Sequence, residues 1–302
     1  MDVEQWEIRS GRARAVVSAH GAGLRVLERD GVPYAETYAA DQAPPMGAGA
    51  VLVPWPNRVA DGQWPLDGVT QHLNLTEPDR GNAIHGLVRH EEWTATARAQ
   101  DSVTLSVLVD RRPGWPFTFE TTVTYFVDDS GLTVTHGLRN LSEDPMPFGV
   151  GTHPYPRPGN ADVDDCALTL AATTRLPVDP ERLLPSGPAE PITDFDFAAG
   201  QPLRGVVLDD AFGGCEPGAD GLVRHAVTGP GGGVEVWADA VFKWVQVYTA
   251  AEFPGKGQRA VAVEPMTCPP DALNSGEDVL VLAPGDSWTG SWGISWVEGE
   301  GA

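Results

Sequence analysis

Residues 118–131, TFETTVTYFVDDSG, followed by LTVTHGL at 132–138, decide the fold. In TFETTVTYFV every second side chain is apolar or β-branched, the period of a strand with one face in a core. DDSG is a turn signal, because Asp and Ser side chains bond their own backbone and Gly accepts positive φ. LTVTHGL then resumes the alternation, so the segment reads as two antiparallel neighbours joined by a tight turn.

The same pattern recurs outward from this hairpin. SVTLSVLV at 102–109, VEVWA at 234–238, WVQVYT at 244–249 and AVAV at 260–263 alternate in the same way. Two further strands are expected at 279–282 and in SWGISWV at 291–297. GPGGG at 229–233 lacks the lysine and following helix of a phosphate loop, so it reads as a hairpin turn. Helical periodicity is nearly absent. The 35 glycines and 27 prolines are scattered, as expected for many short elements with many turns. These features predict an all-β chain, a large antiparallel β-sandwich occupying residues 1–302 as one domain.

A formal charge of −22 makes nucleic acid and anionic membranes unfavourable partners; a solvated acidic surface is the plain reading. Cys166, Cys215 and Cys268 are widely spaced and form no CxxC pair, which fits a reducing compartment. The first residues lack the apolar core of a signal peptide, and no run of 18 apolar residues occurs. A cytoplasmic protein, monomer or homodimer, is expected.

Four polar stretches stand against apolar, stiff surroundings: VPWPNR at 53–58, NAIHG at 82–86, GVGTHPYP at 149–156 and VEPMTCPP at 263–270. Each places an ionisable group at a strand end beside Pro or Gly. Glutamate is rarely buried unpaired, so Glu264 at the end of an apolar strand is either a rim residue or a carboxylate held for use. Taken together the four suggest one shared cleft.

These stretches also carry a resemblance. Pro56-Asn57-Arg58-Val59 with Gly62, Ile84-His85-Gly86, Gly151-Thr152-His153-Pro154-Tyr155, Leu208-Asp209-Asp210-Ala211-Phe212, Val245-Gln246-Val247-Tyr248-Thr249 and Val263-Glu264-Pro265 fall in one order over residues 50–270. A loop with Leu184-Pro185-Ser186-Gly187 and Asp196-Phe197 adds to them. The ordered set resembles the aldose 1-epimerase (galactose mutarotase) family, whose fold is a large antiparallel β-sandwich. The resemblance implies Glu264 as general base and His153 as general acid. It implies sugar-hydroxyl contacts for Asn57, Arg58, His85, Asp209 and Gln246, and it implies no metal or other cofactor. The chain departs from galactose mutarotases at Asp210, where many have histidine, and at Leu87-Val88-Arg89, where small residues are usual.

Mutarotation needs a base at the C1 hydroxyl and an acid at the ring oxygen; the open aldehyde turns and closes on its other face. Ordinary pKa values of about 4.3 for Glu and 6.5 for His allow a carboxylate and an imidazolium together, and mutual attraction is expected to widen that window. The pair is expected on opposite sides of a pyranose-sized cleft. Trp55, Trp64 and Trp244 are candidate stacking surfaces. Alternatives are a hexose-6-phosphate or other anionic-sugar 1-epimerase, with Arg80, Arg89 or Arg112 as the extra cation, and a sugar-binding sandwich without catalysis. A metal site built from His85, His153 and Glu264 is a further alternative.

Overall fold

The computed structural model describes residues 3–298. Two large antiparallel sheets dominate it. The nine-stranded sheet runs, in spatial order, Thr94–Arg98, Ser102–Val109, Phe119–Asp128, Gly131–Asn140, Ser287–Glu298, Gly232–Asp239, Leu222–Gly229, Ala167–Thr169 and Gln201–Pro202. The seven-stranded sheet runs Glu190–Pro191, Thr174–Arg175, Asp209–Gly213, Trp244–Ala250, Ala260–Met266, Gly151–Thr152 and Val51–Leu52. A four-stranded sheet over residues 5–33 packs beside them, and the one α-helix among the described residues is the single turn Ala272–Ser275.

The opening hairpin forms as its sequence requires. Asp128 pairs with Gly131 across the two-residue turn, and Asp128 Oδ1 accepts from the Ser130 and Gly131 amides and the Ser130 hydroxyl. Its inward residues Phe119, Val123, Tyr125, Val127, Leu132 and Val134 join the main core cluster. GPGGG is likewise a hairpin, with Gly229 paired to Gly232. Of the two C-terminal stretches, one becomes Leu280–Leu282, paired with Met146–Phe148 in a small sheet. The other lengthens into the twelve-residue strand Ser287–Glu298, inserted between Gly131–Asn140 and Gly232–Asp239.

The two-residue period of the seven-stranded sheet places the chemistry. Val245, Val247, Val261 and Val263 turn inward to the shared core, burying apolar area worth about 25 cal/mol per Å². The alternate residues Gln246, Tyr248 and Glu264 therefore face the sheet's outer side. There the segments 46–58 and 76–89 cover them and leave a cavity of about 430 Å³.

Candidate active site

The cavity is lined by all seven residues to which the resemblance gives a catalytic or hydroxyl-contact role: Asn57, Arg58, His85, His153, Asp209, Gln246 and Glu264. Neighbouring strands set their places. Gln246 lies opposite Glu264 in the antiparallel register, and Asp209 opposite Tyr248 on the next strand. Gly151 pairs with Met266, so continuing that register two residues brings His153 beside Glu264. The Pro154 carbonyl still accepts from the Val263 amide on that side, although Pro154 itself has no amide to donate and biases His153 to extended backbone. On the other side the His153 amide donates to Ala50 and its carbonyl accepts from Gly49, continuing the register with Val51–Leu52 and fixing the side chain over the cavity.

His153 Nε2 lies 3.3 Å from Glu264 Oε1, and both residues are buried, at 5% and 1% exposure. The expectation of groups on opposite sides of a cleft is therefore corrected: they touch. The reason is the strand register, which sets residue 153 directly beside residue 264. Tyr155 stacks on the His153 ring at 5.2 Å, and His85 meets it edge-on at 5.4 Å.

Burial pushes the Glu264 carboxyl well above its ordinary pKa, with Asp209 adding to the rise and Arg58 opposing it. Burial pulls His153 down to about 3, with Arg89 adding to the fall. Desolvation thus outweighs the attraction expected to favour both charged forms. The pair favours a neutral carboxyl against a neutral imidazole, with one proton between them.

Asn57 and His85 form a reciprocal clasp. The Asn57 amide donates to His85 Nδ1 at 3.2 Å, and the His85 amide donates to the Asn57 carbonyl at 2.8 Å. Both adopt left-handed backbone, φ 53° and 63°, where non-glycine residues are uncommon. With Nδ1 accepting and burial lowering its pKa, His85 is neutral and carries its proton on Nε2. Gly86 follows with φ 69°, and a Cβ there would sit 2.1 Å from the Val53 carbonyl oxygen.

Arg58 donates from Nε and Nη2 to the two oxygens of Glu77 at 2.8 and 3.1 Å, and its Nη2 is 3.7 Å from Asp209. Asp209 accepts from Gln246 Nε2 at 2.7 Å. Burial raises Asp209 despite Arg58 and that hydrogen bond. Glu264 Oε2 and Gln246 Oε1 are buried without a hydrogen-bond partner among the described residues. These two acceptors, with the His85 Nε2 donor, are complementary to hydroxyl groups.

Other expectations are corrected. Trp55 and Trp64 pack against Trp115 in the core at 5.6 and 5.3 Å, and Trp244 is buried with Leu176, Ala211 and Met266; none lines the cavity. Met46 and Tyr248 supply its apolar surface instead. Glu77, which orients Arg58, was not singled out, although its neighbour Pro78 in LTEPDR gives the same local signal as the four stretches. Asp210 turns away and accepts from Arg175 Nε and Nη2 at 3.0 and 2.8 Å and from the Asp209 amide, so the departure there is a half-buried ion pair that also holds the backbone of Asp209. Arg112 pairs with Glu91 outside the cavity, whereas Arg80 and Arg89 line it. No three His, Cys, Asp or Glu side chains among the described residues are grouped to hold a metal ion. No helix among them is long and apolar enough to cross a membrane.

Comparisons with known proteins converge on this cavity's fold. The uncharacterized Escherichia coli K12 protein YihR is 31% identical over 284 residues, 91% of this chain and 88% of that protein. Human galactose mutarotase is 27% identical over 217 residues; the match spans 67% of this chain and 62% of that protein's length. The structure of a GalM/aldose epimerase homologue from C. elegans superposes with a TM-score of 0.84 at 19% identity, covering 98% of this chain and 99% of that one. A galactose mutarotase-like protein from Clostridium acetobutylicum gives 0.83 at 19% identity, covering 99% of each chain. The family model for aldose 1-epimerase matches residues 4–295, and the chain belongs to the aldose 1-epimerase family.

Proposed function

We propose that the protein is a mutarotase, interconverting the α and β anomers of an aldose by ring opening, with Glu264 as base and His153 as acid. The observation that carries this reading is the buried 3.3 Å carboxylate–imidazole contact on the floor of a sugar-sized cavity, with Glu264 Oε2 unpartnered. The proton held at that contact, moved onto His153 Nε2, leaves Glu264 as a carboxylate. Glu264 takes the proton of the C1 hydroxyl, C1=O forms, the bond from C1 to the ring oxygen breaks, and His153 gives its proton to that oxygen. Rotation about C1–C2 followed by the reverse steps closes the ring on the other face and restores the pair.

Burial helps in both directions. It makes the carboxylate a stronger base and the imidazolium a stronger acid than either is in water, so each charged form surrenders its charge to the substrate. Asn57, Arg58, His85, Asp209 and Gln246 would orient the sugar through its hydroxyls, and Tyr248 and Met46 would flank its apolar face. This is isomerase chemistry complete in side chains.

Anomer exchange, followed by polarimetry on freshly dissolved sugar, tests the roles. Glu264→Gln and His153→Ala should each lower the catalysed rate by about 10²–10⁴ while the circular dichroism spectrum is unchanged. Full activity in either variant would overturn the assignment.

A further inference from the structure

Three guanidinium groups line the cavity, and they are not alike. Arg58 is held by both oxygens of Glu77, and Arg80 lies 3.5 Å from the same carboxylate and donates to the Glu181 carbonyl. Arg89 has no hydrogen-bond or ion-pair partner among the described residues, although it is partly buried and burial lowers its pKa. In a chain with a net charge of −22, an inward-facing cation that feels only Glu77, a carboxylate already engaged by Arg58 and Arg80, runs against the trend of the whole surface.

Its backbone is nevertheless firmly placed. The Leu87 amide donates to Val53, Trp93 Nε1 donates to the Val88 carbonyl, and the Gly21 amide donates to Glu91. Arg89 is thus carried by an anchored loop that begins at His85.

Its position relative to the pair is also informative. His85, four residues earlier on the same loop, meets the His153 ring edge-on at 5.4 Å, whereas Asp209 is hydrogen-bonded to Gln246, which lies opposite Glu264. The cation therefore stands on the imidazole side of the cavity and the carboxylate Asp209 on the other. If His153 serves the ring oxygen, the carbon on the far side of that oxygen is C5, and the C5 substituent carries C6. Three guanidinium groups face two carboxylates, Glu77 and Asp209, while the His153–Glu264 pair with its one proton is neutral overall. One positive charge is left over.

Resting on the mutarotase reading, we propose that the preferred substrate is an aldose bearing a single negative charge at C6, a carboxylate or a sulfonate, received by Arg89. A guanidinium matches either group with paired N–H donors. A phosphate monoester, close to a dianion at neutral pH, would exceed the one charge the cavity leaves uncompensated.

The test is anomer exchange by NMR saturation transfer on the intact protein with glucose, galactose, glucuronate, 6-deoxy-6-sulfonatoglucose and glucose 6-phosphate, each corrected for its rate in buffer. One of the two monoanions should exceed both neutral sugars and the phosphate in kcat/KM by about tenfold or more, the scale of a charged hydrogen bond. Which monoanion leads identifies the group. In Arg89→Met the ratio of monoanion to neutral kcat/KM should fall by about the same factor, and in Arg89→Lys by less. Should Arg89→Met fail to fold, rising salt in the wild type should lower kcat/KM for the monoanion and not for glucose. Neutral sugars or glucose 6-phosphate matching or outpacing both monoanions, or a ratio unmoved in the Arg89 variants or by salt, would overturn the inference and leave the mutarotase reading standing. Exchange of no sugar above its buffer rate would instead overturn the mutarotase reading, and this inference with it.

Discussion

A proton between His153 Nε2 and Glu264 Oε1 has 3.3 Å to cross, in surroundings that penalise charge on either side. In the proposed mechanism the one-proton state is the active one, and its limits follow from the directions of the two shifts. On the acid side it is lost only when His153 takes a second proton, near 3. On the alkaline side it is lost as pH rises through the raised pKa of Glu264. Measured over the range where the protein stays folded, kcat/KM should therefore show no loss from pH 6.5 down to pH 4.5, where an ordinary glutamate begins to protonate. A fall of half or more in that interval would contradict the burial argument. Much of this residue set was legible in sequence, because a polar group beside Pro or Gly at a strand end is a local signal. The direct contact was not, since adjacency of residues 153 and 264 depends on a register that only the folded sheet fixes. The tryptophans misled for a related reason: a large ring reads the same from sequence whether it meets a ligand or the Trp115 ring.

Among elements, the strand Gly151–Thr152 is the narrowest point. It lies between the Glu264 strand and Val51–Leu52, and a Cβ on Gly151 would fall 2.6 Å from Pro56 Cβ. Gly151→Ala must therefore displace either the VPWPNR segment, with Asn57 and Arg58, or the approach to His153. Overpacking of this kind costs about 1–3 kcal/mol, and the variant should melt several degrees lower with a disproportionate loss of kcat/KM. Wild-type activity in Gly151→Ala would show that the segment yields freely. Long alternating strands were readable from their period, but this strand and its partner Val51–Leu52 have two residues each and no period to read. In the sheet over residues 5–33, QWEIRS at Gln5–Ser10 alternates but is short, and ARAVVS at Ala13–Ser18 is buried on nearly every residue and shows no period.

For the molecule as a whole, the seven histidines matter more than the surface charge suggests. Burial holds His136 and His225 at about 4 and His153 at about 3, against 6.5 in an unfolded chain. His136 is kept neutral with Nε2 accepting from Trp292 Nε1. Between pH 6.5 and pH 4 these three and His85, lowered likewise, favour proton binding by the unfolded chain; they outnumber the raised carboxyls Glu264 and Asp209, which act in the opposite sense, and stability falls as pH falls. The thermal midpoint should drop across that window even though acidification relieves the repulsion of a strongly negative chain. High salt, which screens the repulsion, should leave the drop in place. A midpoint that is flat or rising would mean these histidines are protonated in the folded protein.

The strand Ser287–Glu298 sits in the middle of the nine-stranded sheet, between Gly131–Asn140 and Gly232–Asp239. During synthesis, then, both neighbours are made well before the strand that joins them. Until residues 287–298 leave the ribosome, each presents an open edge of unpaired amides and carbonyls to the cell. Folding of this half of the sandwich is for that reason a closing event rather than a progressive one, and nascent chains are most exposed to pairing with one another until that strand emerges.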